Sequence, residues 1–206
     1  MKLIGMLDSP YVRRVAVSLT MQGIPFAHQR LSVLSEFDAF AAVNPVVKAP
    51  TLITGDGVML MDSTLILEYA ARLAGPEHSL VPNDLPSLAR AQRITGLALA
   101  ACEKTVQIVY ERNLRPPEKQ HEPWLDRVHG QLAAAYRLLE EEIREAAGPW
   151  LFGNRPLQAD ITSAVAFRFT RDILSGTLDA KTCPALAALW ERAEGLEAFK
   201  AFPYPS

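Results

Sequence analysis

"APTLITGDGVMLMDSTLILEYAARLAG", residues 49–75, decides the fold. Its first half holds two short apolar runs, "APTLIT" (49–54) and "GVMLMD" (57–62), flanking the "GDG" of 55–57. Apolar runs separated by Asp-Gly are the signal of an antiparallel hairpin. Its second half, "STLILEYAARLAG" (63–75), carries the helical spacing, with Ser63 near the start and Gly75 just past the end. Working back from the hairpin, "EFDAFAAVN" (36–44) reads as a short helix or turn, and "PFAHQRLS" (25–32) as a weakly alternating, half-exposed strand. Before them, "KLIGML" (2–7) reads as a buried strand and 10–23 as a helix whose Val12, Val15, Ala16 and Leu19 mark its buried face. Arg13 and Arg14 fall beside that stripe, and Gly23 closes the helix. The order is β-α-β-α-β-β-α. The first two strands form a right-handed parallel unit and the last two a hairpin, so a small mixed sheet with helices on its faces is expected.

Beyond residue 75 the texture changes. "PEHSLVPNDLP" (76–86) carries three prolines and reads as a linker. No strand-like alternation follows. Long helices are predicted over 87–115 and 124–148, the second with Leu125, Val128, Leu132, Ala135, Tyr136, Leu139 and Ile143 on one face, and further helices near 158–174 and 184–195. The expected domains are 1–76, a linker at 77–86, and an all-helical 87–206.

The totals exclude several classes of function. The 206 residues are 49% hydrophobic and 21% charged, ordinary for a globular chain with ample core. A net charge of −2 with no basic run argues against a nucleic-acid or membrane-surface partner. The two cysteines, Cys102 and Cys183, and the four histidines show no metal-ligand spacing, so no metal is expected. The chain shows neither a signal peptide nor 18 consecutive apolar residues, and a cytoplasmic, reducing setting is the expectation.

Ser9 and Pro10 stand side by side where the first strand gives way to the first helix. Two readings are open. Ser9 caps the helix, with Pro10 suited to the first helical position. Alternatively, Ser9 faces a ligand whose negative charge the helix N-terminus favours. A serine hydrolase fits poorly: no G-x-S-x-G is present, and Pro10 removes the N–H that would follow the nucleophile.

Three strings in their order, "SPYVRRV" (9–15), "NPVVKAPTL" (44–52) and "MDSTLILEYAAR" (61–72), resemble the cytosolic glutathione transferase family over essentially the whole chain, most closely its serine-type and bacterial members. The resemblance implies a thioredoxin-like N-terminal domain, βαβαββα, followed by a helical-bundle domain. It implies glutathione as co-substrate, with Ser9 donating a hydrogen bond to the sulfur. Pro50 matches the family's cis-proline, Lys48 would meet the glycine carboxylate, Ala49 would pair its backbone with the cysteinyl part, and Asp62 and Ser63 would hold the γ-glutamyl end. Tyr11, Tyr110 and Asn113 are candidates for the second-substrate wall, and a homodimer is expected, with Arg72, Arg90 and Arg93 at its interface. The residue types suit the ligand: a tripeptide with two carboxylates and an ammonium needs both signs of charge. The alternatives are that Lys48 is a solvated loop residue, Asp62 and Ser63 only a cap, and Pro50 only a strand-entry proline.

The chain departs from the family in places. Leu157 stands three residues before Asp160, where the family has Ser or Thr, so the usual reciprocal capping box cannot form there. The Ser-Ser-Cys cluster of maleylacetoacetate isomerases is absent, and Ser9 occupies the position at which other branches carry cysteine. The implied activity is transfer of the glutathione thiolate to a small hydrophobic electrophile, or glutathione-dependent peroxide reduction. The alternative is a non-catalytic glutathione-binding or stress-related interaction protein on the same fold.

Overall fold

The first strand, β1 (Lys2–Ile4), turns Leu3 to one face of the sheet and Ile4 to the other, and both are buried. It is followed by α1 (Pro10–Met21), β2 (Ala27–Gln29), α2 (Phe37–Val43), the hairpin strands β3 (Thr51–Ile53) and β4 (Met59–Met61), and α3 (Ser63–Ala74). The computed structural model describes residues 1–178 and 181–205. The sheet order is β2-β1-β3-β4, with β1 and β2 parallel and the other two pairings antiparallel. Leu3 and Leu52 pack with Val12, Val15, Ala16 and Leu19 of α1 and with Ile66 and Ala70 of α3, while Ile4 packs with Leu31 and with Phe40 of α2. This is the thioredoxin-like domain expected, with each strand shorter than the apolar run that announced it. α1 closes in a Schellman motif: Ile24 N–H donates to Leu19 O at 2.9 Å and Gly23 N–H to Thr20 O at 3.0 Å, with Gly23 at φ 69°.

Arg13 and Arg14 correct the sequence reading. Read beside the apolar stripe as flanking charges, they are 0% and 2% exposed. Their neighbours explain it. Arg13 Nε donates to Phe202 O at 2.9 Å, and its guanidinium lies over the Phe199 ring, 5.2 Å from the centroid. Arg14 Nη1 donates to Ser63 Oγ at 3.0 Å. Long aliphatic stems let arginine cross a core provided the head finds acceptors.

After a 3₁₀ turn at Pro76–His78 come α4 (Leu85–Leu114), a 3₁₀ turn at Pro117–Lys119, α5 (Glu122–Arg144), α6 (Gln158–Ile173) and α7 (Pro184–Glu194). α4 begins inside the proline-bearing stretch, because Asp84 caps it by accepting from Ser87 N–H at 2.9 Å and proline is tolerated in a first turn. α6 packs on α4 and α7, and α5 on the same two helices. Two buried carboxylates hold this bundle's helix starts. Glu140 of α5 accepts from Ala185 and Leu186 N–H, both at 2.9 Å, in the first turn of α7. Asp160 keeps half of the capping box that Leu157 interrupts: it accepts from Leu157 N–H at 2.8 Å and from Leu151 N–H at 2.9 Å. Burial pushes the Asp160 carboxyl up from its usual range, against the pull of those two amides.

The chain forms two compact units, one of residues 1–80 with 195 onward, the other of 81–194. The sequence groups 87–206 as one helical domain. The short α8 (Glu197–Ala201) instead packs on α1, with Phe199 under the Arg13 guanidinium, and Phe202 just after it stacks on Phe26 at 5.3 Å. One more helical stretch after four others gives no local sign of returning to the first unit.

Candidate functional site

The sheet register gathers what the sequence scatters. Ile4 faces Thr51, and Thr51 faces Met61. The segments that leave this end of the sheet are therefore Gly5–Ser9 after β1, Lys48–Pro50 before β3, and Asp62–Ser63 after β4. Each carries residues singled out from the sequence.

Ser9 is the N-cap of α1 and half-buried. Its Oγ accepts from Val12 N–H at 3.4 Å, a long bond. Accepting leaves the hydroxyl proton available to a ligand, so capping and ligand contact are compatible. Pro10 takes the first helical position, and the positive end of the twelve-residue α1 points at the same place.

The Ala49-Pro50 peptide is cis. The preceding loop is held by a buried relay that the sequence reading missed. Asn44 Nδ2 donates to Thr51 Oγ1 at 2.8 Å, Thr51 Oγ1 donates to Lys48 O at 2.8 Å, and Asn44 Oδ1 accepts from Val46 N–H at 3.0 Å. Asn44 and Thr51 are 1% and 0% exposed. Both stand in the quoted string 44–52, where an Asn before Pro was the available signal. Thr51→Val keeps the shape and removes the hydroxyl, leaving the Asn44 amide without its acceptor. A loss of about 1–3 kcal/mol of stability is expected, read by thermal or urea unfolding.

Asp62 is the N-cap of α3, accepting from Thr64 N–H at 2.9 Å, and sits at φ 72°. That conformation costs a non-glycine residue about 1–3 kcal/mol and concentrates at functional sites. Its Oδ2 lies 3.6 Å from Lys48 Nζ, with the two side chains 45% and 51% exposed. An exposed pair of this kind contributes at most about 1 kcal/mol, so a ligand bearing both charges can part it cheaply. Ser63 is buried, and its Oγ accepts from Arg14. A guanidinium only donates, so Arg14 commits the Ser63 oxygen as acceptor and leaves its O–H to donate outward, the polarity a carboxylate needs. Arg14 is the third residue the sequence reading missed, because charge beside a stripe ordinarily means solvent.

The N-terminal residues 3–78 match the family model for the glutathione S-transferase N-terminal domain. A GST-like protein of Escherichia coli K12, YibF, itself uncharacterized, is 30% identical over 140 residues, 68% of this chain and 68% of its own. The chain belongs to the glutathione S-transferase family. Two solved structures of the family align over 100% of this chain. One, a glutathione S-transferase from Methylobacterium radiotolerans in complex with glutathione sulfonate, has a TM-score of 0.88 and 26% identity, with 95% of that chain covered. The other, a glutathione transferase family member from Pseudomonas fluorescens Pf-5 with bound S-(propanoic acid)-glutathione, has a TM-score of 0.84 and 29% identity, with 100% of that chain covered.

The remaining candidates of this family member fall in different places. Tyr11 follows Pro10 on α1 in the first unit and is half-buried. Tyr110, 43% exposed, and the exposed Asn113 stand near the end of α4 in the second unit. Arg90 and Arg93 are paired within the second unit: their Nε atoms both donate to Glu142 of α5, at 3.1 and 2.6 Å. Arg72 pairs weakly with Glu68 at 3.6 Å on the surface of α3. Among the described residues, no His/Cys/Asp/Glu group could hold a metal ion, and no helix is long and apolar enough to cross a membrane.

Proposed function

We propose that this protein binds glutathione at the end of the sheet where Ser9, Lys48, Ala49, Pro50, Asp62 and Ser63 meet, and joins the whole tripeptide through its sulfur to small hydrophobic electrophiles. The observation that carries this reading is the convergence of three loops whose charges match the tripeptide. Lys48 meets the glycine carboxylate, Asp62 the γ-glutamyl ammonium, and the outward-donating Ser63 hydroxyl the γ-glutamyl carboxylate. The backbone of Ala49, ahead of the cis-proline, pairs with the cysteinyl residue. The family relatives with bound glutathione derivatives support the ligand class.

The chemistry asked of the protein is modest. A free cysteinyl thiol has a pKa of about 8.5, and the thiolate is the nucleophile. A hydrogen bond from Ser9 Oγ–H to the sulfur and the positive end of α1 both favour the charged form. The thiol proton leaves to solvent and the sulfur attacks carbon, expelling halide from an aryl halide or adding to an enal or epoxide whose freed electron pair takes a proton from water, with no general base in the scheme. Peroxide reduction starts from the same thiolate. For the electrophile wall, Tyr11, Tyr110 and Asn113 are the side chains to substitute first.

Calorimetry of glutathione binding tests the reading. Lys48→Ala is expected to weaken binding by about 1–2 kcal/mol, roughly 5- to 30-fold, the low end for a hydrogen bond to a charged group because Lys48 is half-exposed. Equal affinity removes Lys48 from the site, and no binding by the wild type overturns the reading. A conjugation screen over aryl halides, enals, epoxides and peroxides then names the electrophile. Binding without conjugation supports the non-catalytic alternative.

We also infer a homodimer. Its carriers are the exposed Leu65 and Leu73 of α3 and the exposed Val58 and Met59 at the β4 edge, with Arg72, Arg90 and Arg93 as the polar part. Sedimentation at micromolar concentration is expected to show twice the 22.7 kDa chain mass.

A further inference from the structure

The glutathione reading leaves unexplained how Ser9 is held, and neither His28 nor Phe202 belongs to any motif that led to that reading. His28 lies on β2, half-buried, with Nε2 2.9 Å from the carbonyl oxygen of Gly5. A carbonyl can only accept, so the ring donates and the Nε2–H form is selected. Gly5 N–H in turn donates to Gln29 O at 3.1 Å. Both polar groups of Gly5 are therefore fixed to β2. Gly5 has φ 143°, and a Cβ there would lie 2.6 Å from Val12 Cγ2 and 3.2 Å from Ala49 Cβ, so it is wedged between α1 and the cis-proline loop. From this fixed point only Met6–Asp8 intervene before Ser9. The far end of that loop is closed by Ser9 N–H on Met6 O at 3.2 Å and by Arg13 N–H on Ser9 O at 3.0 Å.

The imidazole has a second neighbour. Phe202, from the segment after α8, stands edge-on to it, with ring centroids 6.1 Å apart at 82°. Phe202 is itself held on two sides, stacked on Phe26 at 5.3 Å and with its carbonyl accepting from Arg13 Nε at 2.9 Å. The C-terminal segment thus backs the histidine against the loop that presents Ser9, and ties that backing to α1.

We propose that His28 is a positioning residue for Ser9, acting through the Gly5 carbonyl, with Phe202 holding the ring in place. The proposal rests on the reading of Ser9 as the donor to the glutathione thiolate. A histidine that serves only to stabilise β2 changes the melting temperature of the protein and leaves the pKa of the bound thiol alone. A histidine that seats Ser9 changes that pKa.

The test follows the ultraviolet absorbance of the bound glutathione thiolate against pH, with thermal unfolding of each variant as a fold control. His28→Leu, similar in bulk and lacking a donor, is expected to raise the bound thiol pKa by about half a unit, about threefold less thiolate at a fixed pH below it. His28→Gln, whose amide N–H reaches about as far, is expected to restore the wild-type titration. Phe202→Leu, which keeps an apolar plug, is expected to shift the pKa in the same direction by less, and it carries the test if His28→Leu fails to fold. In a Ser9→Ala background, His28→Leu is expected to add no further shift, since the two act as one unit. A wild-type pKa in folded His28→Leu, or, where that variant does not fold, in Phe202→Leu, overturns the proposal and leaves the glutathione reading standing. An unshifted titration in Ser9→Ala alone overturns both the donor role of Ser9 and the positioning role of His28.

Discussion

Replacing Ser9 by alanine is expected to raise the pKa of bound glutathione and to lower the conjugation rate at neutral pH roughly 10- to 100-fold, the value of one hydrogen bond to a charged group. The structure makes this separable from a capping defect. The Ser9 hydroxyl accepts from Val12 N–H at 3.4 Å, so the cap is a weak one, and its loss costs no more than about 1 kcal/mol of stability. A capping role alone predicts a lower melting temperature with an unchanged thiol titration. The donor role predicts a pH–rate curve displaced to higher pH, with the plateau rate at high pH largely recovered because thiolate then forms unaided. Titration of the thiolate absorbance in the bound complex reads the difference directly. If Ser9→Ala titrates as the wild type does, the stabilisation comes from the α1 dipole or from the neighbouring Tyr11.

Asp160→Ala is expected to cost the second unit about 2–4 kcal/mol, a fall in melting temperature of roughly 5–15 °C for a chain of this size. The mechanism is two buried amides, Leu151 N–H and Leu157 N–H, stripped of the carboxylate that accepts from them. The loss stays at the lower end of what two such amides can cost because removing a buried charge returns part of it. The pH dependence checks the assignment. Burial holds the folded pKa of Asp160 above its unfolded value, so the folded state binds that proton more readily. Its contribution to stability is fully present below about pH 4 and is lost as pH rises through the raised value. Asp160→Asn keeps one acceptor, lies between wild type and alanine in stability, and lacks that pH dependence. Urea unfolding of the three proteins across this range is the measurement. A wild type and Asp160→Asn that run parallel with pH would place the titration elsewhere.

The sequence by itself determined the element order and the core stripe of the first unit. Val12, Val15, Ala16 and Leu19 recur at helical spacing, Asp56-Gly57 marks the hairpin, and Gly23 and Gly75 mark helix ends, and all of these are local signals. Ser9 it offered as a helix cap, a signal read from neighbours in the chain, while the site roles of Lys48, Ala49, Pro50, Asp62 and Ser63 came from the resemblance of the three strings to the glutathione transferase family. What it could not give is who faces whom. Arg13 and Arg14 read only as charges beside the stripe because the acceptors that let them be buried, Phe202 O just after α8 and Ser63 Oγ of α3, lie 189 and 49 residues away. Asn44 and Thr51 read only as the end of a short helix or turn and as a strand residue because their value lies in holding one another. The segment beyond Gly195 read as the end of a bundle because nothing local tells an amphipathic turn which core it will join. Periodicity fixes which side of an element is buried. Only the tertiary fold, through register, crossing and chain return, decides against what, and that choice placed two arginines inside the core of the first unit.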